Sequence, residues 1–148
     1  MMMQDDKPSR FDRLVVAHVM ETQVQVAHPH TKADVIASMM IEGFGAVPVV
    51  DDQKRLIGIV SEHDLLVSLD RKQKWSEVTA QDVMARNPYS VRPEMEIGTL
   101  VHVLRASGLI RVPVVDAHDK LIGIVARRDV LRAYLSDGST TGSVSTEA

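Results

Sequence analysis

The 148-residue sequence predicts an α+β fold made of two copies of one β-α-β-β-α unit. Residues 47–66 and 112–131 align without a gap at an offset of 65 positions (112 minus 47) and share 12 identities. Earlier landmarks repeat at an offset of 64 positions: Val19-Met20 with Val83-Met84, and Pro29 with Pro93. An internal repeat fixes the architecture before any single element does.

The first half of each copy predicts a short strand and a helix. The strands are expected at residues 24–27 and 89–92, and a proline ends each of them. Apolar residues then recur at the spacing of one helix face: Ala33, Ile36, Ala37 and Met40, and in the second copy Ile97, Leu100, Val101 and Leu104. Thr31 with Asp34 is a helix-start signal, and Gly43 and Gly108 are expected at the helix ends.

The second half of each copy predicts a hairpin and another helix. Pairs of β-branched runs are joined by short polar connections: residues 47–50 with 56–60, and residues 112–115 with 121–125. Because these runs are apolar without alternation, the strands are expected to be covered on both faces. The last helices are expected to start near Asp64 and Asp129.

The repeats are expected at residues 14–70 and 78–135, with a linker at residues 71–77. Residues 1–13 are polar and are expected to be flexible. Residues 136–148 read SDGSTTGSVSTEA, which buries too little apolar surface to offset its ordering entropy, so a disordered tail is expected.

Composition excludes several classes of function. The chain has a net charge of −3 and five aromatic residues, which argues against a nucleic-acid partner despite the basic run Arg71, Lys72 and Lys74. Without cysteine it has no disulfide, thiolate nucleophile or cysteine-based zinc site. His28 and His30 flank a proline without further ligands, so no metal site is expected. No apolar run approaches the roughly 18 residues of a membrane span, and no signal segment is present, so a cytoplasmic protein is expected.

Each copy reads V-P-V-V-D, a polar stretch, L-I-G-I-V and a helix start with aspartate, preceded by a V-M pair and a helix that follows a proline. This pattern, found twice over residues 14–135, resembles the cystathionine β-synthase (CBS) domain. Two copies in tandem resemble the CBS pair, or Bateman module. Since no further domain is left over, the resemblance indicates a stand-alone CBS domain-containing protein.

The resemblance implies two repeats packed sheet to sheet with pseudo-twofold symmetry, in a head-to-head or head-to-tail homodimer. It implies clefts between the repeats that bind AMP, ADP, ATP or S-adenosylmethionine. Such modules are regulatory: they sense a ligand, change conformation and act on a protein partner, here unknown, and they are not enzymes. No cofactor is expected beyond magnesium accompanying ATP.

The resemblance also implies the ligand-binding positions. Asp64 and Asp129 would accept hydrogen bonds from ribose hydroxyls, which suits a carboxylate because it is an acceptor only. Ser61 precedes the first aspartate by three residues, where the second copy has Ala126. The other implied positions line the adenine slot, lie near the ribose or face the phosphates: Val47, Pro48, Ser90, Arg111, Val112, Pro113, Arg127 and Arg128. The three arginines favour more phosphates at the site of the second repeat.

Structural explanations compete with these roles. Ser61 and Asp64 match a helix capping box, which would explain both residues without a ligand. In the second copy Ala126 replaces the serine, so the only structural explanation for Asp129 is its favourable interaction with the helix dipole. Arg127 and Arg128 also suit solvated surface charges. Gly58 and Gly123, inside predicted strands, indicate a bulge or a close backbone approach, and packing or proximity to a ligand is favoured over flexibility. The competing function is a ligand-free dimeric scaffold with degenerate sites, which the alanine at position 126 supports.

Overall fold

The computed structural model describes residues 9–137. The predicted flexible segment and disordered tail lie outside the described residues except at their inner ends. There, Phe11–Arg13 forms a short 3-10 helix, and its first backbone N–H donates to Asp137 Oδ2 at 3.3 Å. The Phe11 ring meets Tyr134 edge to face, with centroids 5.2 Å apart. These tertiary contacts order the inner ends, which composition alone does not indicate.

The α+β class and the duplication are confirmed. The helices are α1 (Val16–Val19), α2 (Ala33–Glu42), α3 (Glu62–Asp70), α4 (Ala80–Val83), α5 (Ile97–Ser107) and α6 (Arg127–Ser136). The strands are β1 (Ala46–Val50), β2 (Leu56–Ser61), β3 (Ala85–Arg86), β4 (Arg111–Val115) and β5 (Leu121–Ala126). The order α2-β1-β2-α3 thus recurs as α5-β4-β5-α6. Strands β1, β2 and β3 form one sheet in that order, and β4 and β5 form a second.

The predicted first strand of each repeat is reduced to a single parallel bridge, Ala27 with Val49 and Val91 with Val114. In the first bridge, the Ala27 N–H donates to Pro48 O, and the Val50 N–H donates to Ala27 O, both at 2.9 Å. Extending this ladder in either direction requires a backbone N–H from Pro29 or Pro48, and proline has none. The pairing therefore ends after one residue.

The described chain forms two compact units that do not follow the repeats. The first unit holds the chain up to residue 22, residues 91–114 and the chain from residue 123 onward. In it, the leading segment of the first repeat (residues 14–21) pairs with the second repeat. The Val16 N–H donates to Met95 O at 2.9 Å, and the Ile97 N–H donates to Leu14 O at 3.0 Å.

The second unit holds residues 23–90 and 115–122 and repeats this arrangement. Here the leading segment of the second repeat (residues 78–86) pairs with the first repeat. The N–H groups of Ala80 and Ala33 donate to the carbonyls of Thr31 and Val78, both at 2.8 Å. These bonds join positions 64 residues away from those in the first unit (80 minus 16, and 33 from 97). The exchange of leading segments is therefore reciprocal.

Both hairpin turns are organised by the aspartate of V-P-V-V-D. Asp51 Oδ1 accepts the backbone N–H groups of Gln53 and Arg55, each at 2.9 Å. Asp116 Oδ1 accepts those of His118 and Lys120, at 2.8 and 3.0 Å. An aspartate that binds the backbone two residues on stabilises a tight turn. The motif aspartate therefore has a structural role.

The two turns also bond to each other within the second unit. The Leu56 N–H donates to Asp119 O, and the Leu121 N–H donates to Lys54 O, both at 3.0 Å. Since 121 minus 56 and 119 minus 54 are both 65, each bond is the image of the other. The sequence offset of the repeat is thus also a local twofold relation in the structure.

Replacing Asp51 and Asp116 by asparagine is expected to reduce the loss of stability that occurs as the pH falls. Backbone hydrogen bonds from Arg55 hold the pKa of Asp51 below its usual value, and those from His118 and Lys120 do the same to the pKa of Asp116. Stability from such groups is complete above the unfolded-state pKa and is lost as pH falls through the lower folded-state pKa.

Asparagine keeps the accepting oxygen but does not titrate. The double variant is therefore expected to lose less melting temperature than the parent between about pH 5 and pH 3. Asp52→Asn is the matched control, because this exposed neighbour accepts no hydrogen bond within residues 9–137. An equal loss of melting temperature over this pH range in the parent, the double variant and Asp52→Asn would contradict the prediction.

The ends of the first helices only partly match their predictions. Gly43 and Gly108 follow α2 and α5 as predicted, Gly108 with a left-handed φ of 75°. The capping pair predicted at Thr31 and Asp34 is wrong. The helix starts one residue later, after Lys32, and Thr31 Oγ1 instead accepts the N–H of His28 at 2.9 Å. Within residues 9–137, no helix is both long and apolar enough to cross a bilayer.

Candidate functional site

The first predicted ribose aspartate lies at the start of α3. Asp64 Oδ2 accepts the Ser61 N–H at 2.8 Å and the Ser61 hydroxyl at 2.9 Å, and the Asp64 N–H donates to Ser61 Oγ at 3.2 Å. This is the complete capping box that the spacing predicts. Both residues are half-buried. Asp64 Oδ1 accepts no hydrogen bond within the described chain, so one carboxylate oxygen is available to a donor from outside.

The second predicted aspartate is held differently. Asp129 Oδ2 accepts the Ala126 N–H at 2.8 Å, so half of a capping box persists without a serine. Asp129 Oδ1 pairs with Arg132 Nη1 at 3.2 Å. The first repeat has Val67 at that position (132 minus 65). Both oxygens of Asp129 are therefore engaged inside the first unit. Arg132 is not among the predicted site residues, although its i+3 spacing from Asp129 indicates such a pair.

Arg127 stabilises the end of α5. Its Nε donates to Leu109 O and its Nη2 donates to Gly108 O, both at 2.8 Å. Gly108 is the cap residue of α5 and Leu109 follows it, so these bonds fix the chain where it leaves the helix. Arg127 therefore has a structural role whatever it contributes to a ligand.

The other two predicted arginines differ in exposure. Arg128 is exposed, and its side chain forms no hydrogen bond or ion pair within residues 9–137. Arg111 is half-buried at the start of β4, and its Nε atom is buried. Arg127 is also exposed, so what distinguishes Arg128 is that its side chain is exposed and not bonded to the described chain.

The predicted adenine-lining residues belong to the cores of the units. Val47 and Val112 are 2% and 0% exposed, and Pro48 and Pro113 are also buried. They offer almost no side-chain surface to a ligand in this conformation. Their contact with adenine stays a prediction.

Ser90 lines a cavity of about 210 Å³ in the second unit, together with Leu56, Asn87, Pro88, Val115 and Asp119. Asn87 and Asp119 adopt left-handed φ angles of 52° and 65°. Polar groups of loops and turns thus surround Ser90. Of the predicted site residues, this cavity includes Ser90.

A larger cavity, of about 390 Å³, lies in the first unit. Its wall includes Asp129 and Arg132 from α6 and Arg10, Phe11 and Leu14 from the start of the described chain. Asp129 is the predicted site residue that this cavity brings to an accessible surface. The predicted site residues are divided between the two units according to the segments that form each unit. The second unit holds Ser61, Asp64 and Ser90, and the first holds Asp129 and the three arginines.

Comparison with known proteins establishes the family. The CBS domain matches this chain twice, over residues 16–71 and 80–136. The chain therefore belongs to the CBS domain family.

Two relatives are similar in sequence over about four fifths of this chain or slightly less, and both are longer than the matched region. An uncharacterized protein of Methanopyrus kandleri is 35% identical over 119 residues, which cover 79% of this chain and 61% of that protein. Inosine-5'-monophosphate dehydrogenase of Methanocaldococcus jannaschii is 27% identical over 114 residues, 77% of this chain but 22% of the enzyme. The chain thus spans less than two thirds of either relative.

A solved structure is similar over nearly its whole length. It is the crystal structure of CBSX2, a CBS-pair protein of Arabidopsis thaliana, in complex with AMP. It shares 32% identity with this chain at a TM-score of 0.74, and the alignment covers 82% of this chain and 96% of CBSX2.

Proposed function

We propose that this protein is a regulatory module that binds an adenine nucleotide or S-adenosylmethionine and signals by a change of conformation. The observation that carries the proposal is the likeness to the AMP complex of CBSX2 at 32% identity. Binding of a ligand with different affinities for two conformations shifts the population between them. Sensing of this kind requires no chemical change of the ligand, so the proposed activity is binding and not catalysis.

Asp64 supplies the chemistry that recognises ribose in this proposal. Its Oδ2 holds the start of α3, which fixes the carboxylate in place, while Oδ1 is available. Vicinal ribose hydroxyls are donors, and a carboxylate accepts charge-assisted hydrogen bonds from them. The half-buried setting strengthens these bonds relative to water.

Calorimetric titration with AMP, ADP, ATP and S-adenosylmethionine tests the proposal, with and without magnesium for ATP. We expect saturable binding of at least one of them, with a dissociation constant in the micromolar range, about −8 kcal/mol. Silence from all four, with the protein folded, would support the ligand-free scaffold instead.

Association of two copies and a cytoplasmic location belong to the same proposal. Helices α3 and α6 expose apolar side chains, among them Leu66 at 61% and Leu131 at 64% of their surface. Exposed apolar patches of this kind mark interaction sites on proteins.

Arg128→Ala is expected to weaken ATP binding by about threefold to tenfold and AMP binding by less than about twofold. The reason is that Arg128 is exposed and uncommitted, whereas Arg127 is bonded to the end of α5. Arg127→Ala is the matched control and is expected to lower the free energy of unfolding by about 1 kcal/mol. Parallel titrations with ATP and AMP measure the preference. An unchanged ratio of the two affinities in Arg128→Ala would remove the expectation of a phosphate-preferring site in the second repeat.

A further inference from the structure

Within the part of the chain that the structure describes, the charges of the four long helices, α2, α3, α5 and α6, are segregated by repeat. Helices α2 and α3 contain five carboxylates and neither lysine nor arginine: Asp34, Glu42, Glu62, Asp64 and Asp70. Helices α5 and α6 contain four arginines and one carboxylate: Arg105, Arg127, Arg128, Arg132 and Asp129. Asp64 and Asp129 are half-buried, while the other eight residues are exposed. Each helix pair therefore exposes four charges of one sign.

Both helix pairs also expose apolar side chains among these charges. In the second unit they are Val35, Ile41, Leu66 and Leu69, which are 48%, 85%, 61% and 52% exposed. In the first unit they are Val101, Leu131, Tyr134 and Leu135, which are 38%, 64%, 56% and 69% exposed. We call the surface of α2 and α3 the acidic face and that of α5 and α6 the basic face. The basic face has an open groove of about 440 Å³ in which Arg105 and Arg127 border apolar residues.

The two faces differ in charge at equivalent positions. At an offset of 65, Glu62 of the acidic face corresponds to Arg127 of the basic face, while Leu66 corresponds to Leu131. The duplicated unit thus keeps an apolar position and reverses a neighbouring charge. Opposite potentials on two apolar surfaces favour their contact, and like potentials disfavour it.

We propose that a second copy of this chain docks head to tail, with the basic face of one copy on the acidic face of the other. The proposal rests on the homodimer included in the proposed function, and it assigns the orientation of the two copies. Head-to-head docking would place four exposed carboxylates against four others, and four arginines against four others. In either contact the helix charges repel one another, and the nearest counter-charges of the acidic face, Lys32 and Arg71, stand only at the ends of α2 and α3.

Cysteine cross-linking tests the orientation directly, because the chain has no cysteine of its own. Leu66→Cys and Leu131→Cys are made separately, on copies that carry distinguishable tags, and are oxidised alone and as a mixture without nucleotide. We expect the mixture to give the disulfide dimer between positions 66 and 131. Each variant alone is expected to give no more dimer than Asp52→Cys, an exposed turn residue that reports random collision. Self-linked dimers of either variant that equal the mixed product would overturn the proposal.

Charge reversal provides a second, independent measurement. Asp70 ends α3 and Arg105 lies in the last turn of α5, so neither belongs to the proposed ligand site. We expect Asp70→Lys and Arg105→Glu each to weaken dimerisation by about threefold to tenfold in sedimentation equilibrium, and high salt to weaken the parent dimer. Glu77→Lys, an exposed change in the linker, is expected to leave it unchanged. A monomer at all concentrations, or a dimer indifferent to salt and to both reversals, would refute head-to-tail docking.

Titration of the same variants with AMP separates this proposal from the ligand proposal. A parent that cross-links as expected but binds no nucleotide would leave the orientation standing and remove nucleotide sensing. A parent that binds AMP but gives only self-linked dimers would support nucleotide binding and remove the head-to-tail orientation.

Discussion

Asp64→Ala is expected to weaken AMP binding by about 10- to 100-fold, which corresponds to the loss of one or two hydrogen bonds to a charged acceptor. In the proposed site, this carboxylate has its Oδ2 atom fixed by Ser61 and its Oδ1 atom available to a ribose hydroxyl. Calorimetry of the parent and the variant measures the change. An unchanged affinity would mean that ribose is held elsewhere.

A control must remove the effect of the lost capping box, since a lost helix cap typically costs about 1 kcal/mol of stability. The chain offers one at the start of α4. Asp82 Oδ2 accepts the N–H and the hydroxyl of Thr79, both at 2.9 Å, which are the same two bonds that Asp64 Oδ2 accepts from Ser61, outside the predicted site. Asp82→Ala is expected to destabilise the fold comparably and to leave AMP affinity unchanged. Equal losses of affinity in both variants would assign the effect to folding.

Asp129→Ala is expected to lower nucleotide affinity less than Asp64→Ala does. Arg132 already occupies the second oxygen of Asp129, and a ligand must compete with that ion pair. Because the Arg132 side chain is largely exposed, we expect the pair to be worth about 0.2–1 kcal/mol, so the competition is modest. A larger loss in Asp129→Ala would reverse the assignment of the stronger site.

The repeat and its apolar periodicity are enough to predict the fold class. Ile36 and Leu100, at equivalent helix positions, are both 0% exposed, as their spacing predicts. The exchange of leading segments is not predictable in the same way. Val16 and Ala80 are both 0% exposed, but an apolar pattern predicts burial without naming the repeat that covers it, and the sequence offset is identical whether a segment packs on its own repeat or on the other. Backbone hydrogen bonds determine which repeat each leading segment pairs with, and because every residue other than proline can form them, the residue types do not indicate the pairing.

The candidate site is predictable to a different degree for each residue. The S-x-x-D spacing correctly indicates the bonds between Ser61 and Asp64, because a capping box is local. The partner of Arg127 lies 18 residues away in the chain, at Leu109, and no local pattern specifies it. Trp75 is a similar case: its Nε1 donates to Ser68 Oγ at 3.1 Å, and its ring packs on the core of the second unit. Tertiary contacts thus determine the roles that spacing leaves open.

Gly123→Ala is expected to lower the free energy of unfolding by about 1–3 kcal/mol, the usual cost of an added group in a packed interior. A Cβ at this position would lie 2.8 Å from Met20 Sδ and 2.9 Å from Glu21 O. The carbonyl cannot move freely, because it accepts the Ile124 N–H at 2.9 Å. The prediction that this glycine marks a close backbone approach is confirmed by that contact.

Two other glycines serve as matched controls for Gly123→Ala. At Gly58 the added Cβ would meet the flexible Met84 side chain first and Ala85 O at 3.1 Å, so Gly58→Ala is expected to cost less. At Gly98, inside α5, nothing lies within 4 Å, and Gly98→Ala is expected to stabilise the protein by about 0.5–1 kcal/mol. Thermal and denaturant unfolding measure all three. Because Met20 and Glu21 belong to the leading segment of the first repeat, a harmless Gly123→Ala would mean that this segment does not pack on β5 and that the repeats do not exchange their leading segments.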